Sequence, residues 1–166
     1  MIAMQVNDHN NSKKKFFLKL IVDNQKGVMA RIATLLARKG YNIKSVCVGS
    51  HLEGGEASII LLIVGEDLEV EIAKNTLGKL INVISIEKYG ENEIVQREDI
   101  LLKVKKSADL EKKIAPFGAK ISGNTNEYAI IELLDDPDKI EAFIEFAKKE
   151  LGVVDISRSG ANMMAI

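Results

Sequence analysis

The sequence predicts an α+β protein of two halves, each with the order βαββαβ. Short apolar segments of strand character recur along the 166 residues, and helix-spaced apolar residues follow the first and third segment of each half. A polar stretch at residues 91–96 separates the two series, and the length suits two domains of about 80 residues each. We therefore predict a first domain at 16–90, a linker at 91–96 and a second domain at 97–166, after a flexible tail at 1–15.

The first half begins with a nearly all-apolar strand and contains two helices. Gly40 ends the first helix, because a glycine there permits the left-handed turn that closes a helix. Its predicted strands are 16–22, 41–48, 57–64 and 82–89, with helices at 28–39 and 67–80. The apolar stripe of the first helix is Val28, Ile32, Leu35 and Leu36, and that of the second is Leu68, Ile72, Thr76, Leu77 and Leu80.

The apolar content of these strands predicts their order in the sheet. The first and third strands are continuous apolar runs and the other two are mixed, so the first and third should be central, as in a ferredoxin-like split βαβ unit. A central antiparallel strand with helices on one face alone should alternate, and residues 59–64 do not. We therefore expect the other face to be covered as well, by the second half or by another subunit.

The second half repeats the pattern with shorter loops. Asp135, Asp136 and Pro137 should open its long helix, because acidic residues and proline favour a helix N-terminus, and Gly152 should end it. The apolar stripe of that helix is Ile140, Phe143, Ile144, Ala147 and Leu151. The predicted strands are 99–104, 119–122, 128–134 and 153–157, and a short helix is predicted at 108–117.

Composition argues against several classes of function. The formal net charge of −1 provides no field for nucleic acid or an anionic membrane. A single cysteine, Cys47, excludes a disulfide framework within the chain, and the two histidines, His9 and His51, have no sequence partner that would suggest catalysis or metal binding. Without a signal peptide or a run of about 20 apolar residues, we expect a cytoplasmic protein that does not cross a membrane.

The loop from Asp23 to Gly27 is the candidate binding site. A strand that enters a helix through a short polar loop presents backbone N–H groups without internal partners, and such groups bind anions. Gly27 would let a ligand approach the backbone closely, and the carboxylate of an amino acid is the natural guest. The plainer alternative is that Gly27 only permits the turn and Asn24 only caps the helix.

The first half resembles an ACT domain, and an ordered set of motifs resembles the small subunits of acetohydroxyacid (acetolactate) synthase. Residues 23–45 match the block of that family with asparagine, glycine and arginine at Asn24, Gly27 and Arg31, closing on Arg-x-Gly-Tyr-Asn-Ile-x-Ser. Further matching stretches follow in family order over about residues 16–162. They are Val-Gly-Glu near Gly65, Val-x-Arg-Glu at 95–98, the strand at 100–104, residues 138–144 and Ser-Arg-Ser-Gly at 157–160.

This resemblance implies a regulatory subunit that is not catalytic by itself. It would activate the large catalytic subunit and confer feedback inhibition by valine, and thiamine diphosphate, magnesium and FAD would belong to that partner, with no cofactor in this chain. The family implies a homodimer through paired ACT sheets, with valine at the seam. Carried over by residue, Asn24 and the amides near Gly27, Val28 and Met29 would hold the valine carboxylate. Asn42 and Ile43 of the partner chain would contact its amino group and side chain.

Two stretches depart from the family pattern. The usual Ser-Arg pair before the third strand is Ala57-Ser58 here, and a Phe-Arg-Gly-x-Ile-x-Asp stretch is replaced by residues 117–123. Both departures concern contacts with the catalytic subunit or pairing specificity. A free-standing ACT-domain sensor of another enzyme or of transcription is the alternative function, an enzyme in its own right is the least favoured, and leucine or isoleucine would fit a similar pocket.

Overall fold

The computed structural model describes residues 13–52 and 54–166, and its chain divides into two compact units between Glu93 and Ile94. Short 3-10 helices occupy Glu91–Glu93 and Ala115–Phe117. The first unit contains strands β1 (Lys14–Asp23), β2 (Ile43–Ser50), β3 (Glu56–Gly65) and β4 (Val83–Gly90) and helices α1 (Val28–Arg38) and α2 (Asp67–Leu77). The second contains β5 (Ile94–Lys105), β6 (Lys120–Asn124), β7 (Tyr128–Asp135), β8 (Val153–Arg158), β9 (Asn162–Ala165), α3 (Leu110–Ile114) and α4 (Pro137–Glu150).

The sheet of the first unit has the order β2-β3-β1-β4, with every neighbouring pair antiparallel. The prediction that the first and third strands are central is confirmed. β2 begins at Ile43 rather than at Tyr41, because the Tyr41 N–H donates to the Leu36 carbonyl at 3.0 Å and Gly40 has φ +79°. Tyr41 therefore belongs to the closing turn of α1, and Asn42 precedes the strand.

The core of the first unit lies between the sheet and its two helices. The predicted stripe of α1 is confirmed, with Val28, Ile32 and Leu36 buried and Leu35 half-buried. On the other face of the sheet Phe17 has no exposed surface and Ile60 has 6%. Those two positions agree with the expectation, from the unbroken apolar run in β3, that both faces are covered.

The predicted apolar stripe of α2 is wrong at Leu68 and Ile72, whereas its later members Leu77 and Leu80 do pack in the core. Leu68 is 71% exposed and Ile72 is 49% exposed, whereas Val70, Ala73 and Leu77 are buried. Both series fit the helical period, so periodicity does not choose between them. Long-range packing decides the rotation of the helix, because Val70, Ala73 and Leu77 join the core of the first unit. Lys88 on β4 adds ion pairs to Asp67 at 3.1 Å and to Glu71 at 3.0 Å.

The second unit repeats the arrangement of the first. Its main sheet has the order β6-β7-β5-β8, and the N-terminal end of β5 also pairs with β9 through residues 94–97. β9 was not predicted, and the pairing places residues 94–96 of the expected linker in a strand. The stripe of α4 is confirmed, and the Asp136 carboxylate caps the helix by accepting from the Lys139 N–H at 3.1 Å.

Phe117 belongs to the packing of the second unit. Its ring centroid lies 5.1 Å from that of Phe143 and 4.7 Å from that of Phe146. Gly118 follows with φ +72°, where a side chain would be strained. The first two residues of the stretch 117–123 are therefore explained by packing and turn geometry. Among the described residues, no helix is both long and apolar enough to cross a membrane.

Candidate functional site

The candidate site is built on the loop that joins β1 to α1. The Asn24 N–H donates to the Gly55 carbonyl at 2.8 Å, and the Gln25 N–H donates to the Asp23 carbonyl at 2.8 Å. Gly27 is the N-cap of α1, with φ 86° and ψ 0°, and no side chain caps the helix. The loop is therefore held by backbone contacts, and a glycine stands where the chain needs a left-handed turn.

Several backbone N–H groups of this turn are paired, contrary to the sequence-based expectation. The Val28 N–H donates to the Gln25 carbonyl at 3.3 Å, and the Arg31 N–H donates to the Gly27 carbonyl at 3.0 Å. The expectation of free amides is therefore wrong for Asn24, Gln25 and Val28. Within residues 13–52 and 54–166, the amides without a protein partner here are those of Lys26, Gly27, Met29 and Ala30.

The electrostatics of the α1 N-terminus favour an external anion. The first turn of α1 contains no acidic residue, whereas α2 begins with Asp67 and Glu69 and α4 with Asp138. The partial positive charge of a helix N-terminus is commonly met by such acids or by a bound anion. The start of α1 has unpaired donors and no negative side chain of its own.

The surroundings of Gly27 and Asn24 leave space for a ligand. A Cβ at Gly27 would meet no atom within 4 Å in the described structure. Asn24 is exposed, and its side chain forms no hydrogen bond with any described residue. The alternative that Asn24 caps the helix is wrong, because Gly27 occupies the cap position.

Asn42 and Ile43 lie far from this loop in the same chain. Ile43 pairs with Ile63, whereas Asp23 at the start of the loop pairs with Glu56. The seven-residue separation along β3 corresponds to about 23 Å at roughly 3.3 Å per residue. One chain therefore does not bring the two groups of predicted site residues together, and Val28 and Met29, which are buried and half-buried, stay with the loop.

Asn82 lies in the site region although no local sequence pattern predicts it there. It is 5% exposed, and its backbone carbonyl accepts from the Asp23 N–H at 2.9 Å. Its side-chain Oδ1 accepts from Arg31 Nη1 at 2.6 Å, and its Nδ2 donates to Gln25 Oε1 at 3.2 Å. In the sequence Asn82 looks like an ordinary first residue of a strand, and only the fold places it beneath the loop.

Two protein families match this chain, one over each of its two units. A family described as "AHAS small subunit-like ACT domain" matches residues 18–85, and one described as "Small subunit of acetolactate synthase" matches residues 97–165. The acetolactate synthase small subunit of Mycolicibacterium smegmatis is 32% identical over 91% of both chains. That of Aquifex aeolicus is 33% identical over 89% of this chain and 79% of its own.

A solved structure covers the same length. The small subunit of acetolactate synthase from Thermotoga maritima aligns with a TM-score of 0.85 at 29% sequence identity. The alignment covers 92% of this chain and 98% of that one. Each of the two units therefore has a structural counterpart in that chain.

Proposed function

Because this chain belongs to the family of acetolactate synthase small subunits, we propose that it activates the catalytic large subunit and makes that enzyme sensitive to valine. The family is one of regulatory subunits, and the chain is not an enzyme by itself. Thiamine diphosphate, magnesium and FAD belong, in this proposal, to the large subunit and not to this chain, and both work in the cytoplasm.

The observation that carries the effector site is the N-terminus of α1. Gly27, Met29 and Ala30 offer amides without described partners, and no acid of the first turn competes for them. A carboxylate is the ligand group that best fits such donors. Open space at Gly27 and the unbonded side chain of Asn24 support an amino acid rather than a bare ion.

The proposed homodimer rests on β2. This strand pairs with β3 alone among the described residues, and its exposed edge carries Val46 and Val48, which are 37% and 50% exposed. Its one charged residue is Lys44, so charges give little protection against pairing with another strand. A second copy is the partner that offers the same edge.

The dimer also accounts for the distance between the two groups of site residues. In β2, Ile43 lies at the opposite end from Ser50, and Ser50 pairs with Ala57, next to the partner of Asp23 in β3. Antiparallel pairing of two β2 strands would bring the start of one strand to the end of the other. The partner's Asn42 and Ile43 would then approach this chain's loop at Asn24–Met29, as a binding site at the dimer interface requires.

This geometry can supply the binding free energy that feedback regulation requires. Feedback by a metabolite needs a dissociation constant between about 1 mM and 1 μM, or roughly 4–8 kcal/mol. A ceiling near 1.5 kcal/mol per heavy atom for very small ligands leaves room for valine. Leucine and isoleucine share the carboxylate and a branched apolar side chain, so the titration must include them.

The test is activity of the large subunit from the same source, measured with and without this chain across titrations of valine, leucine and isoleucine. Stimulation that valine reverses supports both parts of the proposal. Stimulation without any response to the three amino acids would overturn the effector site and keep the partner. No stimulation, together with thermal stabilisation of this chain by an amino acid, would indicate a free-standing sensor.

A further inference from the structure

Residues 23–27 form the loop at the candidate site, called here the effector loop. Three polar side chains connect it to the rest of the first unit, namely Gln25 of the loop itself, Arg31 of α1 and Asn82 before β4. Arg31 is the arginine of the motif that contains Asn24 and Gly27, and the proposed ligand contacts do not use it. Asn82 and Glu98 are the buried polar residues of the described chain, and Glu98 has its own ion pair in the second unit. Asn82 is therefore the buried polar group next to the candidate site.

The orientation of the Asn82 amide follows from its partners. A guanidinium can only donate hydrogen bonds, so the atom 2.6 Å from Arg31 Nη1 must be the carbonyl oxygen Oδ1. The amide nitrogen Nδ2 then faces Gln25 and donates to its Oε1 at 3.2 Å. Each group of the side chain is satisfied, and each bond ends on the loop or on the first turns of α1.

The main chain of Asn82 acts on the same loop. Its carbonyl accepts from the Asp23 N–H at 2.9 Å, at the point where β1 ends. A single buried residue thus contacts the start of the loop through Asp23, its middle through Gln25, and the helix behind it through Arg31. These contacts span 51 to 59 positions of sequence, so they restrict the loop in a way that its own residues cannot.

We propose that Asn82 and Arg31 are positioning residues of the effector loop, which hold residues 23–27 in the conformation that presents the α1 amides to the ligand carboxylate. The proposal rests on the proposed function for the identity of the ligand. Neither residue needs to touch the amino acid. Their effect is to reduce the conformational freedom that the loop would otherwise lose on binding.

The first readout is hydrogen exchange of the loop in the ligand-free chain. Asn24, Gln25 and Val28 are the reporters, because their N–H groups are bonded within the site region. Arg31→Ala changes an exposed side chain, so the fold should persist, and exchange at the reporters should rise about three- to tenfold. Arg38→Ala on the same helix is the matched control, because Arg38 is exposed and its side chain has no described partner.

The second readout is valine affinity of the same variants by calorimetry. Asn82→Ala and Arg31→Ala should each weaken binding by about tenfold, and the double variant should be little worse than either one. Asn82→Asp should bind valine about as tightly as the wild type. Its carboxylate still accepts from Arg31, and the Gln25 side chain can turn so that its amide nitrogen donates to that carboxylate. Asn75→Ala, at an exposed position of α2, is the control for Asn82→Ala.

The outcomes separate this proposal from the proposed function. Unchanged exchange at the reporters in both alanine variants would overturn it, as would faster exchange with unchanged valine affinity. Loss of affinity in Arg31→Ala alone would also overturn it, because Arg31 would then contact the ligand directly. If the wild-type chain binds none of the three amino acids, the effector assignment fails, and the exchange data alone decide whether Asn82 and Arg31 hold the loop.

Discussion

Arg158 donates two parallel hydrogen bonds to Glu98, from Nε to Oε1 at 2.7 Å and from Nη2 to Oε2 at 2.8 Å. The two residues come from the motifs at 95–98 and 157–160, which are 60 positions apart in the chain. The Glu98 side chain is 5% exposed, and Glu141 accepts a third bond from Arg158 at 2.7 Å. These bonds raise the pKa of Arg158 above its ordinary value, so the arginine stays charged.

Removing this arginine should destabilise the second unit. Arg158→Ala leaves the buried Glu98 carboxylate without its partner, which costs roughly 3–5 kcal/mol for fully buried pairs and about 2–4 kcal/mol here, because Arg158 is 39% exposed. Urea unfolding would measure the change. Glu141→Gln is the control and should cost about 0–1 kcal/mol, since Glu141 is 57% exposed. Equal losses in the two variants would mean that burial of Glu98 is unimportant.

A negative charge at Gly27 should weaken binding of the effector carboxylate. Gly27→Asp places a carboxylate beside the free amides, and we expect roughly a 10- to 100-fold loss of valine affinity with activation of the large subunit retained. Gly27→Asn is the matched control, because asparagine has the same shape, tolerates a left-handed turn and carries no charge. Full valine sensitivity of the aspartate variant would show that the site lies elsewhere.

The β2 edge should control the oligomeric state. Val46→Lys with Val48→Lys places two charges on the strand that we propose to pair between copies, and sedimentation should show a monomer. Ile84→Lys is the control, because Ile84 is 53% exposed on β4 at the other edge of the same sheet. Dissociation by the control, or a dimer that survives the double variant, would place the interface elsewhere.

Stability of the second unit should fall in acid through Asp135. The backbone N–H of Asp136 and then the Lys139 ammonium hydrogen-bond this carboxylate and lower its pKa. A carboxylate with a lowered pKa stabilises the fold above its unfolded pKa, near 3.9, and that stability is lost as pH falls through the folded value. Melting temperatures of wild type and Asp135→Asn should therefore differ at pH 7 and converge toward pH 2. A constant difference would exclude the titration of Asp135 as the cause.

The rotation of α2 can be tested with two leucines of the same helix. Leu77→Ala should cost about 2–5 kcal/mol, because Leu77 is fully buried. Leu68→Ala should change the free energy of unfolding by less than about 0.5 kcal/mol, because Leu68 is 71% exposed. A loss in Leu68→Ala as large as that in Leu77→Ala would contradict the rotation of α2 in the structure and support the burial of Leu68 expected from the sequence.

The candidate site was predictable in part from local sequence. A polar loop with glycine between an apolar strand and a helix predicts an anion site. The structure has Asn24, Gly27 and Met29 at the turn from β1 into α1, and binding of an effector there stays a prediction. Sequence did not show that the Val28 amide is already paired. Sequence also did not show that Asn82 contacts the loop, because its hydrogen bonds to Arg31 and Gln25 join residues 51 and 57 positions apart.

The sequence by itself determined the βαββαβ order of each half and the family, but not β9, because strand and helix periods are local and the motifs occur in order along the chain. Tertiary structure decided the rotation of α2, the pairing of β9 with β5 and the distance between Ile43 and the loop at residues 23–27. A local period shows that a helix has an apolar face but does not choose between two such faces. That choice depends on the sheet beneath the helix, which includes β1, a strand distant in sequence, and packs against Val70, Ala73 and Leu77.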